Sequence, residues 1–504
     1  MATRRAPADA GRPLAVPLSA LVLAVLLAAC ARNPVTGRRQ MMLITEEQEF
    51  AIGQGADQEV RRQHGAYLDS PALRSYVDGV GNALAKQGER PGLVFHFEVL
   101  NVPEINAFAL PGGFVYVTRG ILERLSTEDE LAMVMGHEIA HVTARHGASR
   151  ISAMYALQYG SLLGAIISPR TFGNYNDLIG LALQVGLSKY SRDQESQADA
   201  LGVDYSHRCG YRPQSAVNVL QILQWLEGKE PGALERWFLS HPPAAERIAD
   251  VESRMKEIEA SDPAALRRQA AREAYLRRID GLIVGLYNGS EMVLKDRYHN
   301  KELAVSLHVP PGWEVNLDPN GALVAMHREE KEFVFLEAEP MHTAATAAGV
   351  EEEFDKTLKR RGWKRTGGRE GSAGGAVARL ATYEGATSKG EPIGVLKTFL
   401  VHGKHRWTVT AVGERQAFAG RLPDYESWAL GIAFLDEEES AALQPPRLKV
   451  LPAPAGATWR SLAGEHLGEA EAAERLAFYN GLRPSEAIPA GTLIKLPPSL
   501  AVRP

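Results

Sequence analysis

Cysteine is scarce in this sequence, and basic residues are not in excess. The 504 residues include two cysteines, Cys30 and Cys209. Cys30 follows an N-terminal apolar run, which leaves Cys209 as the one thiol in the body of the chain, and a single thiol cannot cross-link a domain. The formal net charge is −5, so the composition provides no basic surface for nucleic acid. We therefore expect neither a disulfide-stapled fold nor a nucleic-acid partner.

The N-terminal apolar run, "LSALVLAVLLAA" over residues 18–29, is short. A helix that crosses a membrane needs about 20 residues, whereas a run of this length after several arginines is typical of a signal peptide. The run ends in "LAAC", which resembles the bacterial lipobox, where the cysteine is lipidated and becomes the first residue of the mature protein. This resemblance implies a signal peptide over residues 1–29 and a lipid anchor on Cys30, and Ala31 after the cysteine favours the outer membrane.

A second apolar run, "ISAMYALQYGSLLGAIIS" over residues 151–168, contains polar side chains such as Ser152 and Gln158. These side chains argue against a membrane span. We predict a buried helix or a lid helix above the functional site.

The length and the composition together indicate several ordinary globular domains. Hydrophobic residues make up 45% of the chain and charged residues 23%, and a chain this long exceeds what one hydrophobic core supports. We predict an α+β multidomain protein. Its predicted parts are the signal peptide 1–29, a polar tether 30–44, a mainly helical domain with a small sheet 45–262, an α+β domain 290–440, a linker 441–456 and a small βααβ module 457–504.

The stretch "GHEIAHVTARHG" carries the residues with the clearest chemistry. Thr127 and Glu130 form a capping-box pattern before it, so the motif is predicted to lie inside a helix that ends at Gly147. Four residues advance a helix by about 400°, which leaves His137 and His141 on one face. Two imidazoles at this spacing can bind one metal ion, and Glu138 can address a water molecule at that metal.

A catalytic zinc needs a third protein ligand. His146 lies nine residues after His137, on the opposite side of a continuous helix, so we predict that it does not bind the metal. Glu195 and Asp199 are spaced four residues apart on a later predicted helix. One carboxylate can bind zinc while the other orients a histidine ligand. The alternative is that this acidic pair belongs to a solvated helix face.

These motifs resemble the BepA/LoiP/HtpX-like zinc metallopeptidases, relatives of the CaaX prenyl endopeptidase. The matching segments are "HEIAH", "SRDQESQAD", "NPVTGRRQ" and "INAFALPGGFVYVTRGIL", within residues 33–260. The resemblance implies a gluzincin-type domain that binds one Zn²⁺ per subunit. It implies metal ligation by His137, His141 and Glu195, catalysis by Glu138, and support of the ligands by Asp199 and Arg192.

Two further parts of the helical domain match the same family. "LSHPPAAERI" places His241 where some members have a histidine that approaches the zinc, as a latch or as a catalytic helper. The resemblance implies that Asn106 and Phe108 lie on an edge that pairs with an extended peptide substrate, which would make specificity loose.

The C-terminal segment resembles a LysM module, which implies a peptidoglycan partner. The matching residues include Thr458, Trp459, Asn480, Gly481 and Gly491. Ala457 stands where an acidic residue is usual, and the alternative is a docking domain without glycan affinity. The 290–440 domain shows no cluster of catalytic residues.

The expected function is a zinc-dependent endopeptidase of the bacterial periplasm. It is expected to be anchored by lipid on Cys30 at the periplasmic side of the outer membrane and to degrade misfolded or unassembled envelope proteins. The alternatives are a chaperone-like factor whose zinc site is latched by His241, and a peptidoglycan-binding scaffold.

Overall fold

The structure is a computed structural model. It describes residues 30–159, 175–186, 189–229, 234, 237, 241, 245–294, 296–309, 313–317, 323–327, 332–341, 343, 345–485 and 487–498. The predicted signal peptide and residues 160–168 of the second apolar run lie outside the described residues. Within these ranges, no helix has both the length and the hydropathy that a membrane crossing requires.

The metallopeptidase-like part is mainly helical, as predicted. Its helices begin at recognisable caps: Thr45, Ser70, Thr127 and Ser191 each accept a hydrogen bond from a backbone N–H of the first turn. The helices are α1 (Glu46–His64), α2 (Pro71–Ala85), α3 (Arg119–Arg124), α4 (Glu128–Thr143), α5 (His146–Tyr159), α6 (Tyr175–Gly186), α7 (Arg192–Arg208), α8 (Gln214–Lys229), α9 (Ala245–Ser261) and α10 (Arg272–Ile279).

A three-stranded sheet packs against these helices. Its strands are β3 (His96–Leu100), β4 (Ala107–Leu110) and β5 (Phe114–Thr118), in the order β3-β5-β4. The β4–β5 hairpin turns at two glycines, Gly112 and Gly113, with φ of 82° and 98°, a backbone conformation that glycine adopts without steric cost. This hairpin belongs to the small sheet that was predicted for the helical domain.

The segment predicted as a polar tether is instead folded onto the helical domain. The strands β1 (Cys30–Arg32) and β2 (Arg39–Met41) form an antiparallel hairpin. The side-chain oxygen of Asn33 accepts hydrogen bonds from the backbone of the following turn at 2.9 and 3.1 Å, and Met42 and Ile44 are buried. The prediction was wrong because the turn chemistry of Asn33 and the burial of these apolar residues outweigh the polar composition of the segment.

The α+β domain has the elements β6 (Glu291–Leu294), β7 (Arg297–Asn300), β8 (Val305–His308), β9 (Glu314–Leu317), β10 (Leu323–His327), β11 (Glu332–Pro340), α11 (Ala347–Arg360), β12 (Lys364–Ala373), β13 (Ala376–Ala386), β14 (Pro392–His402), β15 (His405–Glu414), α12 (Arg415–Leu430), β16 (Ala433–Phe434) and α13 (Glu437–Ala442). Among its described residues, the strands form two antiparallel sheets. The larger sheet has the strand order β12-β13-β14-β15-β11-β10-β9, and the smaller one has the order β16-β8-β7-β6. Helices α11 and α12 pack on the larger sheet.

The C-terminal part has the element order βααβ. Its elements are β17 (Lys449–Pro452), α14 (Trp459–Leu467), α15 (Ala473–Tyr479) and β18 (Leu493–Leu496), with β17 antiparallel to β18. The first strand therefore lies inside the segment predicted as the 441–456 linker. The apolar side chains of this part, which include Trp459 and Leu476, join the same hydrophobic core as the helical domain.

Candidate metal centre

Two helices approach closely to form the centre. Helix α4 carries His137, Glu138 and His141, and α7 carries Glu195 and Asp199. A Cβ on Gly202 would lie 2.9 Å from the backbone nitrogen of His137, and one on Gly136 would lie 3.1 Å from the carbonyl oxygen of Gly202. Glycines at this crossing let the two backbones come together, which brings the α7 carboxylates beneath the α4 histidines. The predicted site did not include this role of the glycines.

The three predicted metal ligands converge. The Nε2 atoms of His137 and His141 are 3.1 Å apart. The Glu195 carboxylate lies 3.6 Å from His137 Nε2 and 3.5 Å from His141 Nε2. Ligands about 2.0–2.1 Å from a tetrahedral zinc are separated by about 3.3 Å. Two imidazole nitrogens and one carboxylate at this spacing fit a Zn²⁺ ion.

Asp199 contacts the far side of His137, as predicted for a residue that supports a ligand. Its Oδ1 lies 2.9 Å from His137 Nδ1, so it can accept the ring N–H when Nε2 binds metal. Burial opposes ionisation of Asp199, but Arg247 and His137 outweigh it and lower the pKa of this carboxyl to about 2.

Arg247 is an arginine of the centre that the predicted site residues did not include. Arg192 is exposed in the first turn of α7. Arg247 on α9 is buried; it donates to both oxygens of Asp199 at 2.6 and 2.7 Å and lies 3.2 Å from Glu195. Support of the ligands by Arg192 stays a prediction, and Arg247 reaches the carboxylates from a different helix.

The helix break after the motif changes the position of His146. Helix α4 ends at Thr143, four residues before the predicted end, and Arg145 has a φ of 57°. His146 is therefore turned back toward His141, with 3.0 Å between their Nδ1 atoms. The prediction that His146 stays out of the ligand cluster agrees with the structure, but its reason, an opposite helix face, was wrong. Burial lowers the pKa of His146 to about 4.

His241 is the fourth member of the ligand cluster. Its Nδ1 lies 3.1 Å from both oxygens of Glu195, and its Nε2 lies 3.6 Å from Glu138 Oε1. His241 Nε2 and Glu138 Oε1 are both buried without a hydrogen-bond partner, although buried polar atoms are normally paired. Burial raises the pKa of Glu138, against the opposing effect of His241. The unpaired atoms border the place where an ion and its water ligand would fit.

The predicted substrate edge is buried. Asn106 and Phe108 are 3% and 4% exposed, and the ring of Phe108 stacks on Tyr116 at 4.8 Å. Helix α6 lies against β4: a Cβ on Gly186 would be 2.9 Å from Leu110 Cδ2 and 3.5 Å from the carbonyl oxygen of Ala109. A peptide could pair with β4 only after α6 moves, so substrate binding by these residues stays a prediction.

The fold and this centre define the class of HExxH metallopeptidases. Residues 71–255 match the model of Peptidase family M48. This confirms the resemblance to the zinc metallopeptidases for that domain. The match ends at residue 255, so the LysM resemblance of the C-terminal part stays a prediction.

Curated relatives are metallopeptidases of bacteria and mitochondria. The beta-barrel assembly-enhancing protease of Yersinia pestis is 30% identical over 242 residues, 46% of this chain and 49% of that protein. Metalloprotease YcaL of Escherichia coli is 29% identical over 168 residues, 32% of this chain and 63% of that protein. The mitochondrial metalloendopeptidase OMA1 of Schizosaccharomyces pombe is 29% identical over 229 residues, 45% of this chain and 66% of that protein. The chain spans about half the length of the beta-barrel assembly-enhancing proteases that it matches.

Among solved structures, the match with cyanobacterial PsbP from Synechocystis covers 30% of this chain and 98% of that protein, at 14% identity and a TM-score of 0.24.

Proposed function

We propose that this protein is a zinc-dependent endopeptidase of the bacterial cell envelope that degrades misfolded or unassembled envelope proteins. The observation that carries the proposal is the convergence of His137, His141 and Glu195 within 3.1–3.6 Å beside Glu138. These three side chains would hold one zinc ion per subunit. Zinc in such a site polarises the scissile carbonyl and lowers the pKa of a water molecule.

Glu138 acts as the general base and then as the general acid. It accepts the proton of the attacking water and delivers it to the departing amine. Its burial, which raises the pKa of the carboxyl, favours this work because a base with a pKa nearer neutrality can also return the proton.

The direct test is Glu138→Gln, which keeps the size of the side chain and removes the base. We expect zinc content equal to that of the wild type and a loss of casein cleavage of at least about 100-fold, the usual contribution of a general base. Zinc is measured by metal analysis of the purified protein and cleavage by release of peptides. Wild-type rates in the Gln variant would contradict the assignment.

We propose that His241 is a latch rather than a catalytic helper. A catalytic zinc needs three protein ligands and one open position, and His241 joins the cluster as a fourth group through its contacts to Glu195. The site is closed in this state, since His241 and Glu138 are each 1% exposed. Cleavage then requires His241 to leave.

His241→Ala distinguishes the two roles. If His241 is a latch, the variant cleaves casein faster than the wild type, because the fourth position is open without any rearrangement. If His241 stabilises the oxyanion, the variant loses roughly 10²–10³-fold in rate, as is typical when one such donor is removed. Rates are compared at equal zinc content, which separates the effect from metal loss. A slower variant would contradict the latch.

The proposed location is the periplasmic side of the outer membrane, with a lipid anchor on Cys30. The lipobox-like sequence supports the anchor, and the name of the Yersinia pestis relative, a beta-barrel assembly-enhancing protease, supports substrates among envelope proteins. Cys30→Ala is expected to release the protein from the membrane fraction. If the Cys30→Ala variant stayed in the membrane fraction both as precursor and as mature protein, the anchor would be contradicted.

A second proposed partner is peptidoglycan, bound by the C-terminal βααβ part. The LysM-like sequence and the element order support it. Because this part shares a core with the helical domain, a truncation would expose apolar surface and make nonspecific binding to the wall more probable. A sedimentation assay of the full mature chain with purified peptidoglycan tests the binding, and protein that stays in the supernatant would contradict it.

A further inference from the structure

His146 is a buried histidine that the proposed catalytic steps do not use. It is 2% exposed, and each of its two ring nitrogens makes one polar contact. Its Nδ1 lies 3.0 Å from His141 Nδ1, and its Nε2 lies 3.1 Å from the side-chain oxygen of Gln197 on α7. Both distances are those of hydrogen bonds.

Metal binding fixes the direction of this chain of hydrogen bonds. His141 offers Nε2 to the cluster, so its ring proton must reside on Nδ1. That N–H points at His146 Nδ1, which therefore has to be an acceptor. The proton of a neutral His146 then resides on Nε2, where Gln197 Oε1 accepts it. Every group in the chain has one consistent role, and the opposite direction would place a proton on the metal-binding nitrogen of His141.

We infer that His146 is a positioning residue of the metal centre: it accepts the Nδ1–H of His141 and thereby fixes the ring and the tautomer that present Nε2 to zinc. This inference rests on the proposed zinc site. His146 does for His141 what Asp199 does for His137, with one difference. Asp199 supports His137 with a charged carboxylate, whereas His146 supports His141 with a neutral imidazole. The two supporting groups therefore add one negative charge to the centre, where two carboxylates would add two.

The backbone around His146 is built to hold this position. Arg145, at a φ of 57°, donates to Glu49 at 2.8 Å and to the carbonyl oxygen of Ile44 at 3.3 Å. Asn33 donates to the carbonyl oxygen of Ala144 at 3.1 Å. A residue other than glycine in the left-handed region is strained, and these contacts stabilise it. The break in the helix therefore directs His146 to His141.

The test compares two substitutions in the full mature chain. His146→Leu removes the acceptor and puts an apolar side chain of similar size in its place. His146→Asn keeps an acceptor, since its Oδ1 can take the place of Nδ1. Zinc affinity is measured by competition with a chromophoric chelator. We expect His146→Leu to bind zinc about 10- to 100-fold more weakly than the wild type and His146→Asn to stay within about threefold of it.

Controls separate the acceptor from packing. Thermal unfolding of the metal-free variants establishes that each is folded. If His146→Leu does not fold, His146→Gln replaces it, because its amide extends to the Nε2 position and offers His141 no acceptor; the same loss of affinity is expected. Wild-type affinity in a variant without the acceptor, or equal loss in the folded Asn variant, would overturn the inference. A wild-type chain without zinc affinity would contradict the proposed function itself.

Discussion

The Arg247 guanidinium contacts two carboxylates of the centre: Asp199, which lies behind His137, and Glu195, a proposed metal ligand. It donates to Asp199 at 2.6 and 2.7 Å, lies 3.2 Å from Glu195, and is 5% exposed. Removing one partner of a buried ion pair typically costs about 3–5 kcal/mol, since the remaining charge is left without compensation. At this position, two carboxylates would lose their counter-charge together.

We therefore predict that Arg247→Met lowers the free energy of unfolding of the metal-free protein by about 3 kcal/mol or more. Urea unfolding measures it. Arg254→Met is the matched control on the same helix, because Arg254 pairs with Asp204 where the arginine side chain is 35% exposed, and exposed pairs contribute little. An equal loss of unfolding free energy in the two variants would show that Arg247 stabilises the protein no more than an exposed ion pair does.

At the scale of elements, the break between α4 and α5 depends on one buried carboxylate. Glu49 on α1 is 1% exposed and accepts hydrogen bonds from Arg90 at 3.0 Å and Arg145 at 2.8 Å. The backbone N–H of Gly112, in the turn before β5, donates to the same carboxylate at 3.4 Å. Glu49 thus joins the first helix, the metal-helix break and the hairpin turn.

Glu49→Gln keeps the shape of this side chain and removes its charge. We predict a loss of about 3 kcal/mol in unfolding free energy, because two buried guanidinium groups lose their main counter-charge. The measurement is urea unfolding followed by tryptophan fluorescence. Glu47→Gln, at an exposed position of the same helix, is expected to leave the unfolding midpoint unchanged. An unchanged midpoint for Glu49→Gln as well would refute the role of the carboxylate.

At the scale of the whole molecule, the C-terminal part is joined to the helical domain by a buried lysine. Lys495 on β18 is fully buried and donates to the carbonyl oxygens of Glu123, Arg124 and Leu125 at 2.7–3.1 Å. These carbonyls lie at the C-terminal end of α3, where a cationic donor is favoured. Tyr479 on α15 donates to the Glu123 carboxylate at 3.0 Å in the same interface. This arrangement agrees with the docking role that the sequence left as an alternative.

Lys495→Met fills the same space without a donor. We predict that it destabilises the protein by about 2–3 kcal/mol, because buried carbonyls lose their partner. The free energy of unfolding is measured in urea, and limited proteolysis reports whether the C-terminal part separates. Lys449→Met on the adjacent strand, where the lysine is exposed, is the control and is expected to have no effect. If both variants resist unfolding and proteolysis like the wild type, the lysine does not hold the two parts together.

Much of the centre was predictable because it depends on local spacing. The histidines of the HExxH motif share a helix face by periodicity alone, and the caps at Thr127 and Ser191 fix where the two helices begin. Glu195 and Asp199, more than 50 residues beyond His141, were candidates from their four-residue spacing, and the family resemblance assigned their roles at the metal. Arg247 lies within the segment "LSHPPAAERI", but the motif does not predict that it neutralises the carboxylates of the centre. That role depends on which helix packs against Asp199 and Glu195.

The sequence by itself determined the helix that carries His137, Glu138 and His141, the hairpin turn at Gly112 and the class of chemistry. Each of these depends on the preferences of residues close together in the chain. The tertiary structure alone decided that the segment after Cys30 folds onto the helix break, that His146 returns to His141, and that the C-terminal part shares the core of the peptidase domain. Buried charges and apolar surfaces that meet across hundreds of residues govern these outcomes, and no local pattern records which surfaces will meet.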